Sequence, residues 1–271
     1  MATKYRHPKR YTGQTMTGKC GDKRLGRENI KLAGSVTNET KLYRYISLGQ
    51  FLSLVEGRQT YLTSVSQWYD RWESPIAQLI EVFVPSMKNV QARLYGQCWS
   101  LAAESDAMWR IYSPQGDGLL IETTAKQLRQ IDYAKKGLLA PVIYFDDMND
   151  LIGPISRAYP APFNSAFYKR KAFAYEQEVR LVAADRRHYD CANQEQDRVY
   201  IDLDPVALIN NVVVDPRAKD WYVDVVRQYC QRSGFAFVLR KSELYGSIPD
   251  NEVIQAGIEL MRQVKQQQAG S

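Results

Sequence analysis

The apolar positions divide the chain from residue 41 onward into short strands and short helices. Lys41–Ile46 has the β-prone composition and abrupt start of a first strand. Ser47 then occupies the position of an N-cap, and apolar residues at helical spacing follow it as far as Gly57. Further strands are predicted at 59–65, 96–101, 118–123, 140–145, 175–184, 199–203, 208–214 and 235–239, and further helices near 105–112, 125–132 and 217–232.

The order of these elements indicates an α+β fold. Helices do not alternate regularly with strands, which disfavours a doubly wound parallel sheet. We expect split or mixed β-sheets with helices inserted between the strands. The domain organisation predicted is a basic arm at 1–40 that is poorly ordered, one α+β domain at 41–262, and a frayed tail at 263–271.

Charge is concentrated in that arm. Of the 271 residues 36 are basic and 30 acidic, giving +6. Nine basic and three acidic residues fall within 1–40, so the remainder carries 27 of each sign. Such an arm attracts phosphate backbones. The alternative is an unstructured leader, or a junction with an upstream partner.

Several classes of site and location are disfavoured. The chain holds two histidines and four widely spaced cysteines (Cys20, Cys98, Cys191 and Cys230) without a CxxC pair, so we predict no metal site and free thiols in a reducing, cytoplasmic compartment. No run of eighteen apolar residues and no secretory signal occurs, so no membrane association is expected. Glycine-rich nucleotide loops and a Gly-x-Ser-x-Gly element are absent from the sequence as well.

The predicted strand at 175–184 carries the most suggestive charges. Alternation places Glu176, Glu178 and Arg180 on one face. Within a cleft, like charges raise one carboxyl pKa while the arginine lowers another. The alternative is a solvated strand edge with a weak ion pair.

Two earlier strands add polar groups to this picture. Arg44 stands amid the apolar first strand, where a buried guanidinium needs an anion or a carboxylate. Thr63 and Ser64 end the second strand with hydroxyl groups that could bind a ribose or orient a carboxylate. A polar turn is the alternative for this pair.

Five ordered segments resemble an uncharacterised bacterial domain family. They are Leu-Tyr-Arg-Tyr at 42–45, Tyr-Leu-Thr-Ser at 61–64, the stretch at 98–112 with Met-Trp-Arg-Ile-Tyr, Gly-Leu-Leu-Ile-Glu at 118–122, and Tyr-Glu-Gln-Glu-Val-Arg-Leu-Val at 175–182. That family is similar to the ADP-ribosyltransferase superfamily, which includes bacterial toxins that modify nucleic acid. The chain departs from the family at 67–73, where Gln-Trp-Tyr-Asp-Arg-Trp-Glu replaces an Asn-Asp-Pro type of element.

The resemblance implies an ADP-ribosyltransferase-like fold with NAD as substrate. By position it makes Glu178, in preference to Glu176, the catalytic carboxylate, together with Arg44 and Ser64. The residues it implies for NAD binding are Arg44, Tyr43, Thr63, Ser64, Trp109, Tyr112 and Arg180. For Trp109 and Tyr112 the alternative is core packing, since they lie at helical spacing with Met108 and Ile111.

The leading functional hypothesis is therefore an NAD-dependent mono-ADP-ribosyltransferase that acts as a toxin or effector. Its acceptor would be a nucleic acid or a protein, and an immunity or antitoxin protein would be a further partner. The expected location is the cytoplasm, and the alternative is delivery into a target cell. A second hypothesis is a non-catalytic nucleic-acid-binding module that grips phosphates with the arm and with Lys169, Arg170 and Lys171. A third is an NAD glycohydrolase with the same site.

Overall fold

The structure is a computed structural model that describes residues 30–68, 94–131, 137–147, 149, 163–184, 197–246 and 252–269. Within these ranges a mixed sheet is combined with several helices, so the predicted α+β class is confirmed. None of the helices there has the length and apolar character needed to cross a membrane.

Most of the predicted strands and helices have a counterpart among the described residues. The strands are β1 (Ile30–Leu32), β2 (Lys41–Ile46), β3 (Gln59–Ser64), β4 (Leu94–Ser100), β5 (Leu119–Thr124), β6 (Gly137–Pro141), β7 (Ile143–Phe145), β8 (Tyr168–Arg170), β9 (Glu178–Ala184), β10 (Arg198–Asp202), β11 (Asn211–Val214) and β12 (Arg240–Lys241). The α-helices are α1 (Leu48–Gly57), α2 (Asp106–Tyr112), α3 (Ala125–Gln130), α4 (Pro205–Leu208), α5 (Asp220–Arg232) and α6 (Glu252–Ala269). Short 3-10 helices occupy Val65–Gln67, Phe163–Phe167 and Lys171–Glu176.

The main sheet is built around β4 and β9. Its order is β1-β6-β9-β4-β2-β5-β11-β12, with β3 on β4 and β10 on β3, and β7 and β8 form a separate parallel pair. Most pairs are antiparallel, while β1–β6 and β11–β12 are parallel. The hydrophobic core lies mainly on one face of the sheet, beneath α1 and α5.

The sheet splits along β4. Tyr95 and Gly96 at its beginning pair with β3, whereas Ser100 at its end pairs with β2. Between these points the side chain of Gln97 bridges the diverging strands, because its Nε2 donates to the Tyr61 carbonyl at 2.9 Å. The expected split of a mixed sheet is therefore present beside the middle of β4.

Local signals were the most dependable guides to these elements. Ser47 and Gln50 form the capping box that begins α1, with bonds of 3.2 and 2.9 Å. Gly234 follows α5 with a φ of 87°, a backbone conformation that glycine adopts readily.

Several expected boundaries differ from the structure. β1 pairs with β6, so the folded chain includes residues of the expected arm from Ile30 onward, and α6 continues through most of the expected tail. The strand expected at 175–184 begins only at Glu178, after a 3-10 helix. In place of the strand expected at 235–239 there is the two-residue β12. Residues 1–29 lie outside the described residues, as does most of 66–95.

Candidate active site

A buried ion pair anchors the charged cluster on β9. Arg180 donates from Nε to one oxygen of Glu178 at 2.8 Å and from Nη2 to the other at 3.1 Å. Lys169 on β8 adds a third bond, from Nζ to Glu178 Oε2 at 2.9 Å. The side chain of Glu178 is only 3% exposed, so nearly all its hydrogen bonds come from protein groups.

Glu176 joins the same cluster by a different route from the expected one. It ends the 3-10 helix, and the left-handed turn at Gln177, with φ of 43°, separates it from β9. Its carboxylate accepts from Lys169 at 2.6 Å and from the Tyr112 hydroxyl at 3.2 Å. Strand alternation was therefore the wrong reason for placing both glutamates together; the shared lysine does so.

Electrostatics keep the buried carboxylate ionised. Burial alone raises the pKa of Glu178, but the charges and hydrogen bonds of Arg180 and Lys169 outweigh it and lower the value to about 2. Burial lowers the pKa of Lys169, whereas the two carboxylates together raise it above its ordinary value. Glu178 therefore stays ionised at neutral pH between the charged groups of Arg180 and Lys169.

Arg180 is fixed from further sides, which makes it a rigid clamp. Its Nη1 donates to the Ala166 carbonyl at 2.7 Å, and its guanidinium carbon lies 4.2 Å from the centroid of the Trp68 ring. Trp68 can approach because Gly96 has no side chain; a Cβ there would come within 2.4 Å of the indole. A single glycine therefore lets the indole reach the clamp.

Cys98 lies beside Glu178 in the middle of β4, where β2 and β3 diverge from that strand. Its residue is exposed although its neighbours Gln97 and Trp99 on β4 are buried. Desolvation of the thiol, and then the charge of Glu178, raise the pKa of Cys98 well above its usual range, so the thiol can donate a hydrogen bond to that carboxylate. Of the two free thiols in the described ranges, Cys230 is buried and Cys98 is exposed.

Arg44 reaches the split from β2. Its register partner is Ile121, so it leaves the strand on the side opposite Tyr43 and Tyr45. The guanidinium carbon lies 6.0 Å from the ring centroids of both Tyr61 and Trp99, and it is electrostatically coupled to Cys98. Burial lowers the pKa of Arg44, and no carboxylate in the described part of the chain lies within ion-pair distance of it.

The two hydroxyl-bearing residues that end β3, Thr63 and Ser64, lie on opposite faces of the sheet. Thr63 pairs with Gly96, so it lies on the face of the sheet that carries Glu178, because the register continues through Val182 of β9. Ser64 pairs with Tyr95 and points to the other face, where its Oγ lies 2.8 Å from Ser66 Oγ. Of the two residues, Thr63 is the one directed toward the cluster.

The aromatic candidates also differ in what they offer a ligand. Trp109 has no exposed surface and packs edge-on against Tyr45 at a centroid distance of 4.8 Å, so its ring belongs to the core and cannot stack on a base. Tyr112 is 44% exposed and touches Glu176. Tyr43 is half-buried on the same side of the sheet as these residues.

Lys169 belongs to the charged cluster, a position that was not predicted from the sequence. It was assigned to a phosphate-gripping run, yet its ammonium group points into the protein and its side chain is 12% exposed. Lys171 pairs with Asp146 at 2.6 Å, and Arg170 stacks on Phe173. The idea that this run of three residues grips phosphates is therefore wrong for Lys169. The signal available in the sequence was a lysine seven and nine positions before the two glutamates.

Comparison with known proteins gives one family match and two distant structures. Residues 108–181 match a family described as a protein of unknown function (DUF2971). This segment contains the motif at 118–122 and overlaps those at 98–112 and 175–182, and the predicted resemblance to an uncharacterised family is confirmed. No curated protein matches the sequence. Two structures of Thermus sp. 2.9 DarT, in complex with NAD+ and with ADP-ribosylated ssDNA, share 11% identity with TM-scores of 0.38 and 0.37. Each alignment covers 77% of this chain, and 98% and 95% of those chains respectively.

Proposed function

We propose that this chain cleaves NAD and transfers its ADP-ribose to a nucleic acid. The observation that carries the proposal is the pair of glutamates joined by Lys169 beside the exposed Cys98. In the same split of the sheet lies Arg44, which has no carboxylate partner among the described residues. This combination supplies a fixed negative charge and a separate site for an anion.

The chemistry needs both features. When the bond between nicotinamide and the ribose C1′ breaks, the electron pair leaves with nicotinamide and the sugar gains oxocarbenium character. A carboxylate that is held in place stabilises this positive charge without having to reorganise. An acceptor nucleophile then forms a bond to C1′ and releases its proton to solvent. Replacing the acceptor by water gives NAD hydrolysis at the same site.

The two glutamates have separate roles in this proposal. Glu178 is 3% exposed and saturated by Arg180 and Lys169, so it fixes the charges of the cluster. The Glu176 side chain is 10% exposed and lies against the accessible Tyr112, so it is the carboxylate that contacts the ribose. The resemblance implied that Glu178 is the catalytic carboxylate; in this proposal Glu178 positions the cluster and Glu176 contacts the ribose.

Arg44 and the aromatic residues complete the binding of NAD in the proposal. A guanidinium without a carboxylate partner suits the diphosphate, which it can hold with two parallel hydrogen bonds. Tyr112, with nearly half its surface exposed, provides a ring for the nicotinamide. We expect R44K to raise the KM for NAD by about tenfold or more, since lysine keeps the charge but loses the paired geometry.

The test uses NAD labelled on the adenylate, with single-stranded DNA, RNA or protein extract as acceptor. We expect nicotinamide release together with transfer of label to nucleic acid, and a loss of about 100-fold or more in E176Q. E122Q is the matched control, because Glu122 is likewise a glutamate that binds a lysine, Lys41, at 2.9 Å. Nicotinamide release without transfer would indicate a hydrolase, and neither product from the wild-type chain would refute the proposal.

A toxic role follows from the same proposal. Transfer of ADP-ribose to nucleic acid would block templates, so induced expression in bacteria should stop growth, and a producer would need an immunity protein. Growth arrest should disappear in E176Q and persist in E122Q. Equal arrest by wild type and E176Q would contradict a toxic role based on this site.

A further inference from the structure

The outer edge of the β3 side of the split carries arginine and tyrosine side chains. β10 pairs with β3 alone among the described strands, with Arg198 opposite Thr63 and Tyr200 opposite Tyr61. Directly opposed residues in antiparallel strands lie on the same face. We call Tyr61, Arg198 and Tyr200 the edge platform.

The members of the edge platform contact one another and leave surface free. The rings of Tyr61 and Tyr200 have centroids 6.1 Å apart, and the guanidinium carbon of Arg198 lies 4.6 Å from the centre of the Tyr61 ring. Tyr200 is 62% exposed. Within the described ranges, Arg198 has no carboxylate at ion-pair distance, so its charge is available to an incoming anion.

The edge platform is continuous with the candidate active site. Thr63 pairs with both Arg198 and Gly96, and Gly96 pairs with Val182, which shares its face of β9 with Glu178. Tyr61 also lies 6.0 Å from the guanidinium carbon of Arg44 in the split. A ligand on the platform would therefore extend toward the split from the sheet edge.

We propose that the edge platform binds single-stranded nucleic acid, which it presents to the candidate active site as the acceptor. Exposed aromatic rings stack on unpaired bases, and an arginine beside them binds the phosphate backbone. A small ligand such as NAD is normally enclosed in a pocket, which a ring exposed by 62% on an edge strand does not provide. A duplex hides the faces of its bases, so the single strand fits best. This assignment rests on the proposed function for its role as an acceptor site, although binding itself does not require NAD.

The test measures binding of a fluorescent oligothymidylate of about 12 nucleotides in the absence of NAD. We expect Y200A to weaken binding about 5- to 100-fold and Y200F to retain it, because stacking needs the ring but not the hydroxyl. R198A should reduce the slope of log affinity against log salt by about 0.7. W221A and R232A are the controls, since Trp221 is 67% exposed and Arg232 is also exposed, both on α5 over the opposite face.

Two further probes make the result decisive. An abasic oligomer of the same length should bind weakly, and equally to wild type and Y200A, because it has no bases to stack. The inference is overturned if Y200A and R198A bind the oligothymidylate as wild type does, or if these variants lose affinity for NAD instead. Binding that depends on Tyr200 in a chain that never cleaves NAD would refute the proposed function and leave the platform in place.

Discussion

Replacing Glu178 by glutamine should lower the free energy of unfolding, because Glu178 pairs with two buried or nearly buried cations. The substitution removes the negative charge between Arg180 and Lys169 and leaves both cations in a site where the glutamate side chain is 3% exposed. The pKa of Glu178 falls from 4.5 to about 2, which corresponds to about 3 kcal/mol of stability at neutral pH. For a chain of this size that loss lowers Tm by about 6–12 °C.

The same linkage fixes the direction of the pH dependence. Because the folded-state pKa of Glu178 lies below its ordinary value of 4.5, its stabilising contribution is complete above that pH and is lost as pH falls toward about 2. The pKa of Lys169 is raised, so its contribution is complete below its ordinary value of 10.5 and disappears only at still higher pH. We therefore expect wild type and E178Q to converge in unfolding free energy as the solution is acidified.

Urea unfolding followed by circular dichroism, repeated from neutral to acidic pH, measures this difference. E122Q is the control, because the Lys41 side chain that pairs with Glu122 is 62% exposed and such a surface pair contributes about 0–1 kcal/mol. The reasoning is refuted if E178Q unfolds within about 0.5 kcal/mol of wild type at neutral pH. It is equally refuted if the carboxyl resonance of Glu178 titrates near 4.5.

Three further predictions concern single contacts. Y112F removes the hydroxyl 3.2 Å from the more exposed glutamate, so transfer should fall about tenfold in kcat while thermal unfolding stays within a few degrees of wild type. G96A places a Cβ within 2.4 Å of Trp68 and should cost about 1–3 kcal/mol, measured by urea unfolding, because the indole must leave its position over the clamp. S47A removes the N-cap of α1 and should cost about 1 kcal/mol in the same measurement with no change in NAD binding; a larger loss in S47A than in G96A would contradict this ranking.

Elements whose signals are local could be predicted from the sequence. The capping box of Ser47 and Gln50 lies within four residues, and the glycine after α5 acts on its own backbone, so both were readable without tertiary information. The start of β9 was not, because a left-handed turn at a glutamine has no sequence marker comparable to glycine. Propensity favoured strand throughout 175–184, and the contacts of the folded chain decided otherwise.

The composition of the candidate site was only partly readable for the same reason. The glutamates and Arg180 stand close together in the sequence, and their clustering was predicted. The exposure of Cys98 and the placement of Arg44 depend on where β2 and β3 diverge from β4, which is a property of strands distant in sequence. The role of Trp109 could not be predicted either, because aromatic residues of the core and of a ligand site show the same helical spacing. Only its burial in the folded structure assigns Trp109 to the core.

Burying the charged cluster costs desolvation free energy. Four charges at the edge of the core must lose most of their hydration, and well-packed apolar residues of similar size would often stabilise a fold equally or better. Arg180 is nevertheless held by the Trp68 ring and the Ala166 carbonyl, and it holds Glu178 in turn. Stability alone does not require this arrangement. Under the proposed function the cost has a reason, because Arg180 and Glu178 hold Lys169 and Glu176 in place, and a fixed carboxylate stabilises the charge that develops during bond cleavage.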